Sequence, residues 1–242
     1  MSADDPPEYG YDPAVDREAD PHGVSIAVDA NDRTWRQLGH ELTHATNVRD
    51  LVQTIQRYGW TAPFFGLLLS GIVRGVFEHL AEPFAMSQGY VFSGWQIALA
   101  INVLFGFFLV MFQWFLYFGV IGTFAGYFSD ETKMEITIFK VGGYLLVLFI
   151  PLVAVASVLV LTISPPETVI AGVDPISAVR ETHRVIANTP QMRIINTIMA
   201  GGWIVIGFLM LPVVSELYEI KKKYSVLAVL PVTLVAIVAV LV

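Results

Sequence analysis

Five histidines are spread over 242 residues, and two of them stand four apart in His40-Glu41-Leu42-Thr43-His44. On a helix this spacing puts both imidazoles on one face, where they can ligate a single zinc ion. The glutamate between them is placed to take a proton from a metal-bound water, the general-base role in hydrolysis. The other three histidines, His22, His79 and His183, show no ligand-like spacing and are expected at the surface. The chain has no cysteine, which excludes disulfides, thiol catalysis and thiolate-bound metals.

The element that must carry the motif is an amphipathic segment over 33–59. Trp35, Leu38 and Leu42, then Leu51, Val52 and Ile55, recur at helical spacing. This predicts one helix, resting along the cytoplasmic interface with its arginines toward anionic lipid. Before it, residues 1–32 hold nine acidic residues against Arg17 alone, together with Pro6, Pro7, Pro13 and Pro21. Such a tail has too little apolar surface to offset the entropy of ordering, so it is expected to be disordered. The formal net charge of -7 therefore belongs to the tail, and no nucleic-acid partner is expected.

The rest of the chain is dictated by a different solvent. Hydrophobic residues make up 55% and charged residues 14%, with a mean hydropathy of +0.63. Four runs of 19 to 47 residues contain no charged side chain. About 20 apolar residues cross a bilayer core of ~30 Å, so each run is long enough to span. A weaker segment beginning near Gly59 carries Arg74, which can snorkel toward the nearer surface and meet Glu78 one turn on. Five spans follow, at roughly 60–80, 96–127, 141–163, 194–214 and 225–242, within a membrane domain over 60–242. The fold class expected is an all-α integral membrane protein, a five-helix bundle. The second span is too long for one perpendicular crossing and must tilt, kink or extend into the headgroups. Residues 174–189 open on Asp174-Pro175 and carry Ile176, Val179, Val185 and Ile186, which predicts a surface helix stopped near Pro190.

Orientation follows from the basic residues. With the N-terminus inside, ten fall on the cytoplasmic side, including Lys133, Lys140, Lys221, Lys222 and Lys223, against Arg74, Arg180, Arg184 and Arg193 outside. That bias favours N-in, C-out. The three consecutive lysines adjoin two spans, where each cation gains ~1 kcal/mol near an anionic leaflet, so a lipid-contacting and topology-setting role is assigned to them. The N-terminus has no basic region followed by an apolar one, so no cleaved signal is expected and the first span targets the chain to the cell membrane. No ionisable group lies deep in spans two to five, which argues against an ion-coupled carrier. A small-solute channel would have to rely on amides such as Asn102 and Gln113.

Two resemblances bear on function. The run from His40 to Asp50, His-Glu-Leu-Thr-His-Ala-Thr-Asn-Val-Arg-Asp, resembles the zinc helix of the HtpX-type membrane metallopeptidases, with the Asn-to-Arg spacing one residue longer. The resemblance implies zinc on His40 and His44, Glu41 as catalytic base, and a third, glutamate ligand two spans later. Glu131 and Glu135 stand in that loop on the same predicted side. The family's extended helix around that glutamate and its soluble lobe have no counterpart here.

The second resemblance covers 60–242. Phe118-Gly-Val-Ile-Gly-Thr-Phe-Ala-Gly-Tyr127, Lys140-Val-Gly-Gly-Tyr-Leu-Leu, Pro151, Trp203, and Tyr218-Glu-Ile-Lys-Lys-Lys-Tyr-Ser-Val-Leu-Ala-Val-Leu-Pro231 are similar to the Yip1 family of five-span membrane proteins. The Asp-Leu-Tyr-Gly-Pro signature of eukaryotic members is absent, so their GTPase and trafficking roles are not implied. What the likeness implies is a non-enzymatic bundle without a cofactor, whose partners are the lipid bilayer and other membrane proteins. The expected function is therefore membrane organisation or partner binding; the alternative is a minimal or degenerate zinc metallopeptidase.

Overall fold

The computed structural model describes residues 35–82, 85–87, 90–92, 94–130, 134–163 and 175–241. The acidic tail over 1–32 and the candidate ligand Glu131 lie outside the described residues. The elements run α1 (Trp35–His44), α2 (Val48–Arg57), α3 (Thr61–Ala81), β1 (Ala85–Ser87), β2 (Tyr90–Phe92) and α4 (Trp95–Phe128). They continue as α5 (Thr137–Leu146), α6 (Phe149–Val160), α7 (Pro175–Ala187), α8 (Pro190–Leu217) and α9 (Lys222–Leu241).

Five helical stretches are long and apolar enough to cross a membrane: α3, α4, α5 with α6, α8 and α9. Their outer faces are apolar to match. Phe105, Phe108, Phe112 and Phe115 on α4 are each more than half exposed, as are Phe208 on α8 and Val235 on α9. Apolar surface this continuous belongs against hydrocarbon rather than water. The 34 residues of α4 form one uninterrupted helix, about 51 Å long at 1.5 Å per residue.

Small residues set the packing. α3 makes its most extensive contact with α4, and α8 with α9. At Gly106 an added Cβ would lie 2.5 Å from the Gly75 nitrogen, 2.6 Å from the Gly75 Cα and 2.8 Å from the Gly71 carbonyl oxygen. The α3 and α4 backbones thus touch directly across three glycines, the kind of approach that lets helices associate where no hydrophobic force separates protein from lipid. Two polar bonds tie α4 to its other neighbours. The Trp114 indole N–H donates to the Phe139 carbonyl of α5 at 2.9 Å, and the hydroxyls of Tyr117 and Thr233 on α9 lie 2.7 Å apart.

The third span is jointed between α5 and α6. Pro151 has no N–H to offer the Val147 carbonyl, and its ring crowds that oxygen. The chain responds with i,i+3 bonds at Val147, Leu148 and Ile150, a short tightened turn that joins the two helices. The surface helix expected over 174–189 is α7, and it packs on α8 and β2. The β1–β2 hairpin, paired Ala85 to Phe92 and Ser87 to Tyr90, was not among the expected elements.

The amphipathic segment differs from the single helix expected. α1 ends at His44, and α2 begins afresh after Asn47, whose side chain accepts from the Asp50 N–H at 2.9 Å. That bond is an N-cap, which can form only where a helix starts. The Thr46 hydroxyl donates to the Asp50 carboxylate at 2.8 Å and reinforces the restart. Rather than lying free along an interface, α2 packs against α5 and α8 and buries Val52, Thr54 and Ile55.

Candidate functional site

The His40-Glu41-Leu42-Thr43-His44 motif occupies the last turns of α1, so the helical spacing does bring the two rings together. They stack with centroids 4.0 Å apart and planes 16° from parallel, both exposed. The His44 Nδ1 lies 2.8 Å from the His40 carbonyl oxygen, and since a carbonyl can only accept, Nδ1 is the donating nitrogen. Glu41 is half-buried, and its Oε2 is enclosed without a hydrogen-bond partner.

Of the two expected third ligands, Glu135 does not join them, and Glu131 lies outside the described residues. Glu135 receives the Thr137 hydroxyl on its Oε1 at 2.8 Å, and its own N–H donates to the Tyr218 hydroxyl at 3.1 Å. Among the described residues no three histidine, aspartate or glutamate side chains converge into a metal-binding group. Catalytic zinc takes three protein ligands and keeps one position for water. Two imidazoles on an exposed helix end do not complete that set, so the described residues do not fit the ion.

Lys221, Lys222 and Lys223 lie exposed at the turn between α8 and α9, where Glu219 takes a left-handed φ of 51° to reverse the chain. The Lys223 ammonium stands 4.8 Å from the centre of the Tyr224 ring. The same end of the bundle holds Lys140, which donates to the Tyr58 carbonyl at 2.9 Å, and Arg49, 3.6 Å from Glu216. Cations and aromatic rings gathered at the mouth of an apolar bundle suit a headgroup boundary.

Another constellation went unassembled in the sequence. Ser70, Arg74 and Glu78 recur at four-residue spacing along α3 and therefore form one stripe. They line a cavity of about 420 Å³, together with Gln113 of α4, His183 of α7 and Asn196 of α8. Arg74 pairs with Glu78 as its spacing suggested, and its guanidinium carbon lies 5.2 Å from the Phe77 ring centre. Its Nε is enclosed and has no hydrogen-bond partner. At the rim His183 binds Glu82, fastening α7 over the end of α3. Burial holds the Glu82 carboxyl above its ordinary range, against the opposing effect of the His183 hydrogen bond.

Beside this cavity, α4 and α9 enclose an apolar groove of about 600 Å³ with Tyr117 and Trp203 in its lining. The two recesses share Leu109, Gln113, Trp203, Ala239 and Val240 as a common wall. The stripe on α3 was visible locally; the convergence of α4, α7 and α8 upon it was not. Comparison with family models, curated proteins and solved structures finds no match to this chain.

Proposed function

We propose that this chain is a non-enzymatic multi-pass protein of the cell membrane, of Yip1-like type, acting on surrounding lipid or partner proteins through its five-helix body. The observation that supports this reading is that, among the described residues, the would-be ligands His40, His44 and Glu135 form no common group. His40 and His44 stand together at the end of α1, while the Glu135 carboxylate is engaged by Thr137 elsewhere. The alternative, a minimal zinc metallopeptidase, draws its support from the stacked imidazoles and the unpartnered Oε2 of Glu41.

Zinc content and peptide hydrolysis by the full chain in lipid nanodiscs separate the two. The expected result is no stoichiometric zinc and no hydrolysis that His40→Ala, His44→Ala or Glu41→Gln alters. Zinc bound one to one, and lost in both histidine variants, would overturn the reading. The basic bias favours an N-terminus inside and a C-terminus outside. Because the chain has no cysteine of its own, single cysteines at Gly10 and Val242 report this cleanly by labelling of intact cells. They are expected on opposite faces; labelling on one face would exclude the arrangement.

A further inference from the structure

The geometry points to a binding site for one amine-headed zwitterionic phospholipid, its phosphodiester on Arg74, its ammonium on Glu78, and one acyl chain in the groove between α4 and α9. The site is independent of whether His40 and His44 hold zinc.

The donors on Arg74 call for an acceptor. A guanidinium carries five N–H groups in a rigid fork, and in this cavity Glu78 satisfies one edge while Nε is enclosed and unpartnered. Away from water such a group is costly to leave unmade, and a phosphate oxygen is the acceptor that the fork matches best. Asn196 and Gln113 add amides to the same lining.

Charge balance selects the headgroup. The charged groups facing the cavity are Arg74 and Glu78, with His183 bound to Glu82 at the rim. Arg74 and Glu78 cancel, so a purely anionic headgroup would bring an uncompensated charge into a low-dielectric space. A headgroup of both signs adds none. A primary ammonium can donate N–H bonds to Glu78, whereas a trimethylated one has no N–H to give.

The groove argues for a lipid rather than a soluble amine phosphate. Its walls are apolar, and it shares five residues with the polar cavity, so one amphiphile can occupy both. It borders faces that bear exposed Phe112 (61%) and Val235 (69%), the faces turned toward hydrocarbon. Each recess, about 600 Å³ and about 420 Å³, falls within the ~300–1,000 Å³ range of ligand pockets.

Native mass spectrometry of the full chain tests the assignment, after release from nanodiscs of phosphatidylethanolamine, phosphatidylglycerol, phosphatidylcholine or a phosphate-free glycolipid. One phosphatidylethanolamine per chain should be retained in preference to the other three. Arg74→Gln and Glu78→Gln should each lower its retention about tenfold, the loss expected for one charge-assisted hydrogen bond. Val235→Trp fills the groove from an exposed position and should lower retention while leaving the melting temperature unchanged, which keeps the test decisive if an Arg74 variant fails to fold. Equal retention of phosphatidylglycerol or of the glycolipid would overturn the proposal. So would retention indifferent to Arg74→Gln and Val235→Trp, or a lipid-free dimer that Val235→Trp dissociates, which would assign the groove to a second copy of the chain.

Discussion

Replacing Gly106 by alanine adds one methyl group, and the structure says what it meets. The new carbon would lie 2.5 Å from the Gly75 nitrogen and 2.6 Å from its Cα, where ordinary contact begins at 3.4 Å. Both neighbours are backbone, so no side chain can swing aside, and α3 must move from α4 by about 1 Å, a gap that forfeits up to half of the dispersion energy of each lost contact. Overpacking of this kind costs about 1–3 kcal/mol, and alanine recovers up to ~1 kcal/mol through its better helix propensity. The net loss is about 2 kcal/mol at the upper end, or roughly 4–8 °C in melting temperature for a chain of this size. Gly201→Ala supplies the control, since a Cβ there meets nothing within 4 Å. The same substitution should leave stability unchanged or raise it by up to ~1 kcal/mol. Thermal melts of both variants in one detergent, followed by tryptophan fluorescence, make the comparison. If Gly106→Ala melts at or above the wild-type temperature, the backbones of α3 and α4 do not touch and the packing described above is wrong.

The Tyr117–Thr233 bond between α4 and α9 should give a coupling of about 0.6 kcal/mol in a double-mutant cycle of Tyr117→Phe and Thr233→Val; strict additivity would refute the bond. Lys140→Met removes a cation that donates to the Tyr58 and Gln56 carbonyls at the end of α2. It should cost about 1 kcal/mol and speed amide exchange across Val48–Arg57, and unchanged exchange would count against that anchor. The raised value of Glu82 means that the folded chain holds this proton more tightly than the unfolded one. Its favourable contribution is complete below the unfolded value near 4.5 and is lost as pH rises through the folded value. Wild type should therefore lose stability relative to Glu82→Gln as pH rises above the ordinary value of 4.5 in parallel melts, and a flat or opposite trend would remove burial as the dominant influence on Glu82.

Much of the fold was legible because the signals that specify it are local. Absence of charge over a bilayer's width marks a span wherever it occurs, and the expected spans coincide with α3, α4, α5 with α6, α8 and α9. α7 starts at Pro175 and ends before Pro190 for equally local reasons, a proline at each boundary. The joint before Pro151 was readable in principle, because the missing N–H always falls on the carbonyl four residues back. The restart at Asn47 was missed although the cap was present, since apolar spacing carried on across the break from Leu42 to Leu51 and mimicked one helix. The hairpin escaped because three-residue strands leave almost no periodic trace.

The candidate sites divide along the same line. Spacing alone placed His40 against His44 and Arg74 against Glu78, because i,i+4 neighbours meet on any helix. Where Glu135 would point, which residues close around Arg74, and that Gly75 rests on Gly106 depend on contacts between segments far apart in the chain. Such contacts have no period and no fixed offset; only the simultaneous packing of all the helices selects them. Composition and periodicity thus marked five helices long and apolar enough to cross a membrane, while the three-dimensional packing alone gathered polar side chains from four helices into one cavity.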